Sequence, residues 1–158
     1  LKKLGLKENP TFLKIPATKV KDFSSADLNE KIKKFIYNHN SEVVCIPFPD
    51  RHEDHKFIFE SCMVATRPVG KKYPKLIMCY ETLSETNWNA PFIEPNFTPN
   101  FFINIDNEIR DKCAAMNCYK SQKSDTRSNE AIKSLAKFRG SQNGSKYAEA
   151  YQLVRFLL

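Results

Sequence analysis

A chain of 158 residues, 41% apolar and 12% aromatic, can bury the core of one ordinary domain, which excludes a disordered tail. Its net charge of +7 favours acidic or phosphorylated partners over cationic ones, yet no helix-turn-helix, glycine-rich RNA motif or basic-aromatic alternation accompanies it, so no nucleic acid partner is expected. No run approaches the roughly 18 apolar residues of a membrane span and no leader pattern is recognisable, so the expectation is a cytoplasmic protein without a transmembrane segment.

The first residues, Leu1-Lys2-Lys3-Leu4-Gly5, read as the last turn of a helix with Gly5 just beyond its end, as though the chain continued something longer. Thr11-Phe12-Leu13-Lys14-Ile15, closed by Pro16, fits a strand. Ser24-Ser25-Ala26-Asp27 resembles a capping box with Asp at its third place, and Leu28, Ile32, Phe35 and Ile36 then recur at helical spacing to about Asn38. His39, at that helix's end, reads as a partner of the helix dipole rather than a metal ligand. Glu42 to Pro47 is apolar after its first residue, as expected of a parallel strand covered on both faces. It leads into Asp50-Arg51-His52-Glu53-Asp54-His55, where Asp54 is placed to cap a helix running to about Thr66 and stopped before Pro68.

Lys75 to Glu81 reads as the next buried strand, emptying into a polar loop, Thr82 to Asn89, that holds Trp88. Phe101 to Ile105 makes another strand, and Asp106 is placed to cap a helix with Ile109, Cys113 and Met116 on one face. Ser128 opens a helix whose Ile132, Leu135 and Ala136 form a stripe ended by Gly140. Ala148 to Leu158 leans towards a strand. This alternation predicts an α/β fold, a mostly parallel sheet sandwiched by helices, in one domain over 1–158. Cys45, Cys62, Cys79, Cys113 and Cys118 are odd in number, sit mostly in apolar runs and form no C-x-x-C pair, so buried free thiols are expected. The glycosylation sequons at Asn96 and Asn143 then carry no meaning, since glycosylation requires secretion.

The histidine hexapeptide is where chemistry is expected, because ligands of open α/β sheets bind beyond the carboxyl ends of the strands. Catalytic zinc takes three ligands from His, Asp, Glu or Cys and keeps a position for water, whose pKa it lowers to roughly 7. His52 and His55 are three residues apart, and H-x-x-H alone is unspecific. Capping or surface exposure would explain His52, and capping fully explains Asp54. The residues by themselves supply part of a metal site. Lys31, Lys33 and Lys34 form a lysine face that reads as a solvated helix surface.

Glu42 to His55, with its apolar strand and D-R-H-x-D-H, resembles the second motif of the PIG-L/LmbE-like zinc-dependent N-acetylglucosamine deacetylases. Similar to that family as well are Arg127-Ser128-Asn129-Glu130-Ala131-Ile132 through Leu135-Ala136, Arg139-Gly140, Gly144 and Tyr147-Ala148-Glu149-Ala150. Tyr80-Glu81-Thr82 with Trp88, and Pro99-Asn100-Phe101-Phe102, also match. The resemblance covers nearly the whole chain and implies a Rossmann-like fold. It implies Zn2+ with His55 as a ligand, His52 as oxyanion stabiliser or general acid, and Asp54 orienting and charge-tuning His52. Asp50 and Arg51 would line the pocket, with Arg51 on the sugar or an anionic group. The loops over Thr82 to Asn89 and Ser121 to Arg127 would set substrate choice. Trp88 would stack on a sugar ring or pack the rim, and Arg127 and Arg139 would bind an anionic group or serve as structural ion-pair partners.

The family's first motif, A-H-P-D-D-E, has no match here. It carries the remaining ligands and the aspartate base and would lie upstream of Leu1. The expectation is therefore an N-terminally truncated deacetylase-like domain, inactive alone, whose parent hydrolyses the N-acetyl group of an acetylated amino-sugar conjugate. The alternative is a metal-free, non-enzymatic module binding a glycan or anionic ligand through the lysine face. A cysteine hydrolase is disfavoured, since no cysteine neighbours a histidine. A homo-oligomer is left open.

Overall fold

A computed structural model of the chain describes residues 4–7 and 9–158. The helix end expected at Leu1 to Gly5 lies largely outside them, although Gly5 does adopt a left-handed φ of 71°. Among the described residues are four β-strands and four α-helices. The α/β class read from the alternation is the one the chain adopts, in a mixed sheet of strand order β1-β2-β4-β3. The chain divides into two compact units, Lys14–Asn100 with Tyr151–Leu158, and Phe101–Ala150 with the residues before Lys14.

In the first of these, α1 (Ser25–Asn38) starts where the capping pattern puts it: the Ser24 side chain accepts from the Asp27 amide at 3.4 Å. Leu28 and Ile36 point inward. His39 ends the helix, its ring Nδ1 within 2.8 Å of the Phe35 carbonyl and its plane stacked on the Phe35 ring, so it serves the helix end as expected. The strand expected at Thr11 to Ile15 does not form. Phe12 and Leu13 are exposed, Lys14 has φ 56°, outside the extended region, and the flanking Pro10 and Pro16 have no N–H to give a ladder.

Strands β1 (Val43–Pro47) and β2 (Leu76–Tyr80) run parallel, Val43 opposite Leu76 and Pro47 opposite Tyr80, joined through α2 (Glu53–Ala65). The later half of β4 (Ala148–Phe156) lies antiparallel to β2, with a register shift at Ile77/Met78. Ile46, Phe48, Cys62, Ile77 and Cys79 form the core, joined by Ile58, Phe59 and Phe97. Each fully buried aliphatic side chain contributes about 1.5–3 kcal/mol. Strand β1 was expected to be covered on both faces; Ile46 and Pro47 are buried, but Val43 and Cys45, on the face away from Ile46, are exposed, since α2 is the helix packed against this strand.

The second unit holds β3 (Phe101–Asn104), the start of β4, α3 (Ile109–Met116) and α4 (Asn129–Ser141), with Ile105, Ile109, Cys113, Ile132, Ala136 and Ala148 buried. Ser128 caps α4, accepting from the Ala131 amide at 3.1 Å. Asp106 does not cap α3; its carboxylate accepts from the Tyr147 amide at 2.6 Å and so ties the start of α3 to the start of β4. Gly140 is set by close approach, since a Cβ there would stand 2.6 Å from the Ser145 carbonyl oxygen. All five cysteines are free thiols, but only Cys62, Cys79 and Cys113 are buried. Cys45 lies on the open side of β1 and Cys118 beyond the last turn of α3, so the expected burial fails at both. No helix among the described residues is long and apolar enough to cross a membrane.

Candidate active site at the ends of β1 and β2

Because β1 and β2 are parallel and end level with each other, the segments that follow them start side by side. The Phe48 amide still donates to the Tyr80 carbonyl at 3.1 Å, one residue before the chains part. One strand leads into the histidine hexapeptide and the other into the loop over residues 81–95, at the carboxyl edge where α/β sheets bind ligands.

Asp50 organises this junction. Its side chain has no exposed surface. One oxygen accepts from the His52 amide at 3.0 Å and lies 2.8 Å from His55 Nδ1, and the other accepts from the Thr86 hydroxyl at 2.9 Å. Burial pushes its pKa up, but the bonds from His55, the His52 amide and Thr86 prevail and hold the carboxyl below its ordinary value. An ionised carboxylate only accepts, so His55 Nδ1 is the donor and Nε2 is the nitrogen left for a ligand. A carboxylate behind a histidine in this way fixes the tautomer and the orientation of the ring. Asp50, expected to line a pocket, is wholly buried instead.

His52 caps α2: its Nδ1 accepts from the Asp54 amide at 3.2 Å. An Nδ1 that accepts cannot carry a proton, so the neutral ring bears its proton on Nε2, as a donor. The rings of His52 and His55 stack at 4.7 Å between centroids and 25° between planes. Asp54, expected to cap the helix and to orient His52 by its carboxylate, does neither. Its carboxylate accepts from the amides of Thr18 at 2.7 Å and Val20 at 3.3 Å, tying the turn before α1 to the start of α2. What holds His52 is the Asp54 backbone.

The loop after β2 forms the other wall. Thr86 in a short 3-10 turn reaches Asp50, and the Trp88 carbonyl accepts from Arg51 Nη1 at 3.1 Å. Arg51 Nε also lies 3.8 Å from Glu94, so its guanidinium fastens the loop. Trp88 is 53% exposed. Arg127 belongs to the other unit, where it donates to Gln122. Sequence reasoning missed Thr86 and Glu94; the polar loop around Trp88 was the one signal, and nothing local marks which of its residues bond 36 positions away.

Zinc is the metal that the expected chemistry calls for. Among the described residues no group of three or more His, Cys, Asp or Glu side chains is arranged to hold a metal ion. His55 Nε2 is one competent ligand, Asp50 is saturated by protein donors, and Asp54 is turned to the Thr18 turn. The described residues therefore do not by themselves fit a zinc centre.

No protein-family model matches the chain, and no curated protein matches it. Solved structures do. The fold is shared with a deacetylase and a hydratase. The N,N′-diacetylchitobiose deacetylase of Pyrococcus horikoshii superposes with a TM-score of 0.65 at 18% identity, over 97% of this chain and 59% of its own. GalB, the 4-carboxy-2-hydroxymuconate hydratase of Pseudomonas putida, gives 0.68 at 17%, over 86% and 61%. The conserved protein TT1542 of Thermus thermophilus gives 0.65 at 23%, over 84% and 60%. At these identities the likeness is one of fold, and the chain spans about three-fifths of the length of each.

Proposed function

We propose that the protein to which this chain belongs hydrolyses the N-acetyl group of an N-acetylglucosamine-type sugar conjugate, and that the 158 residues alone do not complete the catalytic site. The observation that carries this reading is the stacked pair His52 and His55 at the strand ends, each ring held in a defined tautomer. A fold shared with a diacetylchitobiose deacetylase supports it.

His52 Nε2–H is the group we assign to the amide carbonyl oxygen as negative charge develops there. One such donor is worth about 2.7–4 kcal/mol of barrier. His55, held by Asp50, is the residue we assign to zinc, as one ligand of a set the described residues do not complete. Trp88 offers an exposed aromatic face for a sugar ring, and Arg51 holds that face in place. Asp50 and Asp54 are positioning residues in this scheme.

Acetate release from N,N′-diacetylchitobiose by the whole protein, with and without a chelator, tests the reading. Acetate from the whole protein, sensitive to His52→Ala and to chelator, is expected, with none from the 158-residue chain. Saturable sugar binding without acetate from the whole protein would replace it by the second reading, a metal-free, non-enzymatic module binding a glycan or anionic ligand through the lysine face of Lys31, Lys33 and Lys34.

A further inference from the structure

We infer that Glu94 is a positioning residue of this site: its carboxylate clamps the Trp88 loop onto the first turns of α2, fixing Trp88 relative to the helix that carries His52 and His55. The inference rests on the reading of Trp88 as a sugar-facing wall.

The loop's outer part is closed on itself by Asn89 Nδ2 donating to the Pro95 carbonyl at 2.8 Å and by the Ile93 and Glu94 amides donating to the Ala90 carbonyl, bonds that do not reach the helix. After the 3-10 turn Thr86–Trp88 it has no regular structure, Phe92 sits at φ 66°, and Trp88, Phe92 and Ile93 are 53%, 98% and 86% exposed. No buried apolar side chain can therefore anchor this tip. Thr86 pins the near end through Asp50. The far end is followed by Phe97, which packs edge-on against Phe48 in the core, and between tip and anchor stands Glu94, whose side chain is only 22% exposed. Its Oε2 accepts from the Ala90 amide at 2.9 Å and lies 3.8 Å from Arg51 Nε, while Oε1 lies 3.7 Å from Lys56 Nζ in α2. Arg51 in turn donates to the Trp88 carbonyl. One carboxylate thus ties the loop's own backbone, the arginine that grips Trp88, and the histidine-bearing helix.

The two cation distances exceed hydrogen-bonding length, so this part of the clamp is Coulombic and screened by salt. Partly exposed pairs of this kind are worth about 0.2–1 kcal/mol. That is too little to decide whether the protein folds, but enough to change how often the tip is open. Glu94→Gln keeps an acceptor for the Ala90 amide and loses the charge, whereas Glu94→Ala loses both.

Trp88 is the sole tryptophan of the 158 residues, so the intrinsic fluorescence of this chain reads the loop directly. Acrylamide quenching would be measured for the wild type, Glu94→Gln and Glu94→Ala, at low salt and at about 1 M salt, where the Debye length is roughly 3 Å. The clamp predicts a quenching constant about 1.5- to 2-fold higher in Glu94→Gln at low salt, within the range such pairs allow, and higher still in Glu94→Ala. Wild type at high salt should approach Glu94→Gln, which should itself be indifferent to salt, with melting temperatures close together. Equal quenching in wild type and Glu94→Gln at low salt would overturn the clamp. If the variants fail to fold, the salt titration of the wild type decides: a flat response overturns the inference. Titrating N,N′-diacetylchitobiose into the same samples separates the two ideas. Quenching that responds to Glu94 but emission blind to sugar would uphold the clamp and count against the sugar-facing wall; the reverse would overturn the clamp alone.

Discussion

The wholly buried carboxylate of Asp50 and the ring of His55 meet at 2.8 Å, and this contact joins the end of β1 to the first turn of α2. Removing the carboxylate leaves the His55 ring, the His52 amide and the Thr86 hydroxyl without their acceptor. Asp50→Ala should destabilise the protein by about 2–4 kcal/mol, the range for stranding buried hydrogen-bonding groups. Urea unfolding checks this, and a loss under about 1 kcal/mol would mean that the carboxylate is not the hub described.

The same carboxylate gives a pH signature. Its pKa is held below the ordinary value, since the bonds from His55, the His52 amide and Thr86 outweigh the upward push of burial. A carboxyl whose folded pKa is depressed contributes stability above its unfolded pKa, about 3.9, and loses it as pH falls through the folded value. The stability difference between wild type and Asp50→Asn should therefore narrow as pH falls below about 4. Urea midpoints across pH 2–7 would show it; narrowing between pH 7 and 5 would assign the effect to another group.

Asp54 separates a structural role from a catalytic one. Asp54→Ala should cost about 1–3 kcal/mol and speed amide exchange at Thr18 and Val20, whose N–H groups it holds. His52 should keep its ring tautomer, because its contact is with the Asp54 backbone. Nitrogen shifts of the His52 ring read this by NMR, and a tautomer change in the variant would restore the carboxylate-to-histidine contact expected from the sequence.

Gly140→Ala should lower stability by about 1–3 kcal/mol, the usual range for overpacking, since the added methyl would meet the carbonyl oxygens of Ser145 and Lys146 at 2.6 and 2.8 Å. Thermal melts of the variant test it, and an unchanged midpoint would mean that this turn gives way.

Burial pushes the Cys62 thiol up to about 11 and, with the nearby Cys62 adding to it, the Cys79 thiol to about 12. Neither is a nucleophile near neutral pH, which removes both from any hydrolytic role. An Ellman titration of native protein should modify Cys45 and Cys118 first. Cys62 and Cys79 should react only on unfolding, and mass mapping of the early adducts would expose any exception.

What the sequence determined is what local physics encodes. Ser24 with the Leu28–Ile32–Ile36 spacing specifies α1, the apolar run Val43–Pro47 specifies β1, and their order places the histidine hexapeptide at a strand's carboxyl end. Periodicity of burial and helix-end hydrogen bonding act over a few residues, so a single chain reveals them. The tertiary structure alone decided that Thr86 reaches Asp50, that Asp54 serves Thr18 and Val20 rather than His52, and that Glu94 faces Arg51 and Lys56. It also decided that β4 lies antiparallel to β2 and that β1 is left with an open face. These bonds join positions about 35 to 45 apart, or strands about 70 to 80 residues apart. A carboxylate's partners are chosen by which amides and hydroxyls packing brings within 3 Å or so, and no neighbouring residue records that choice.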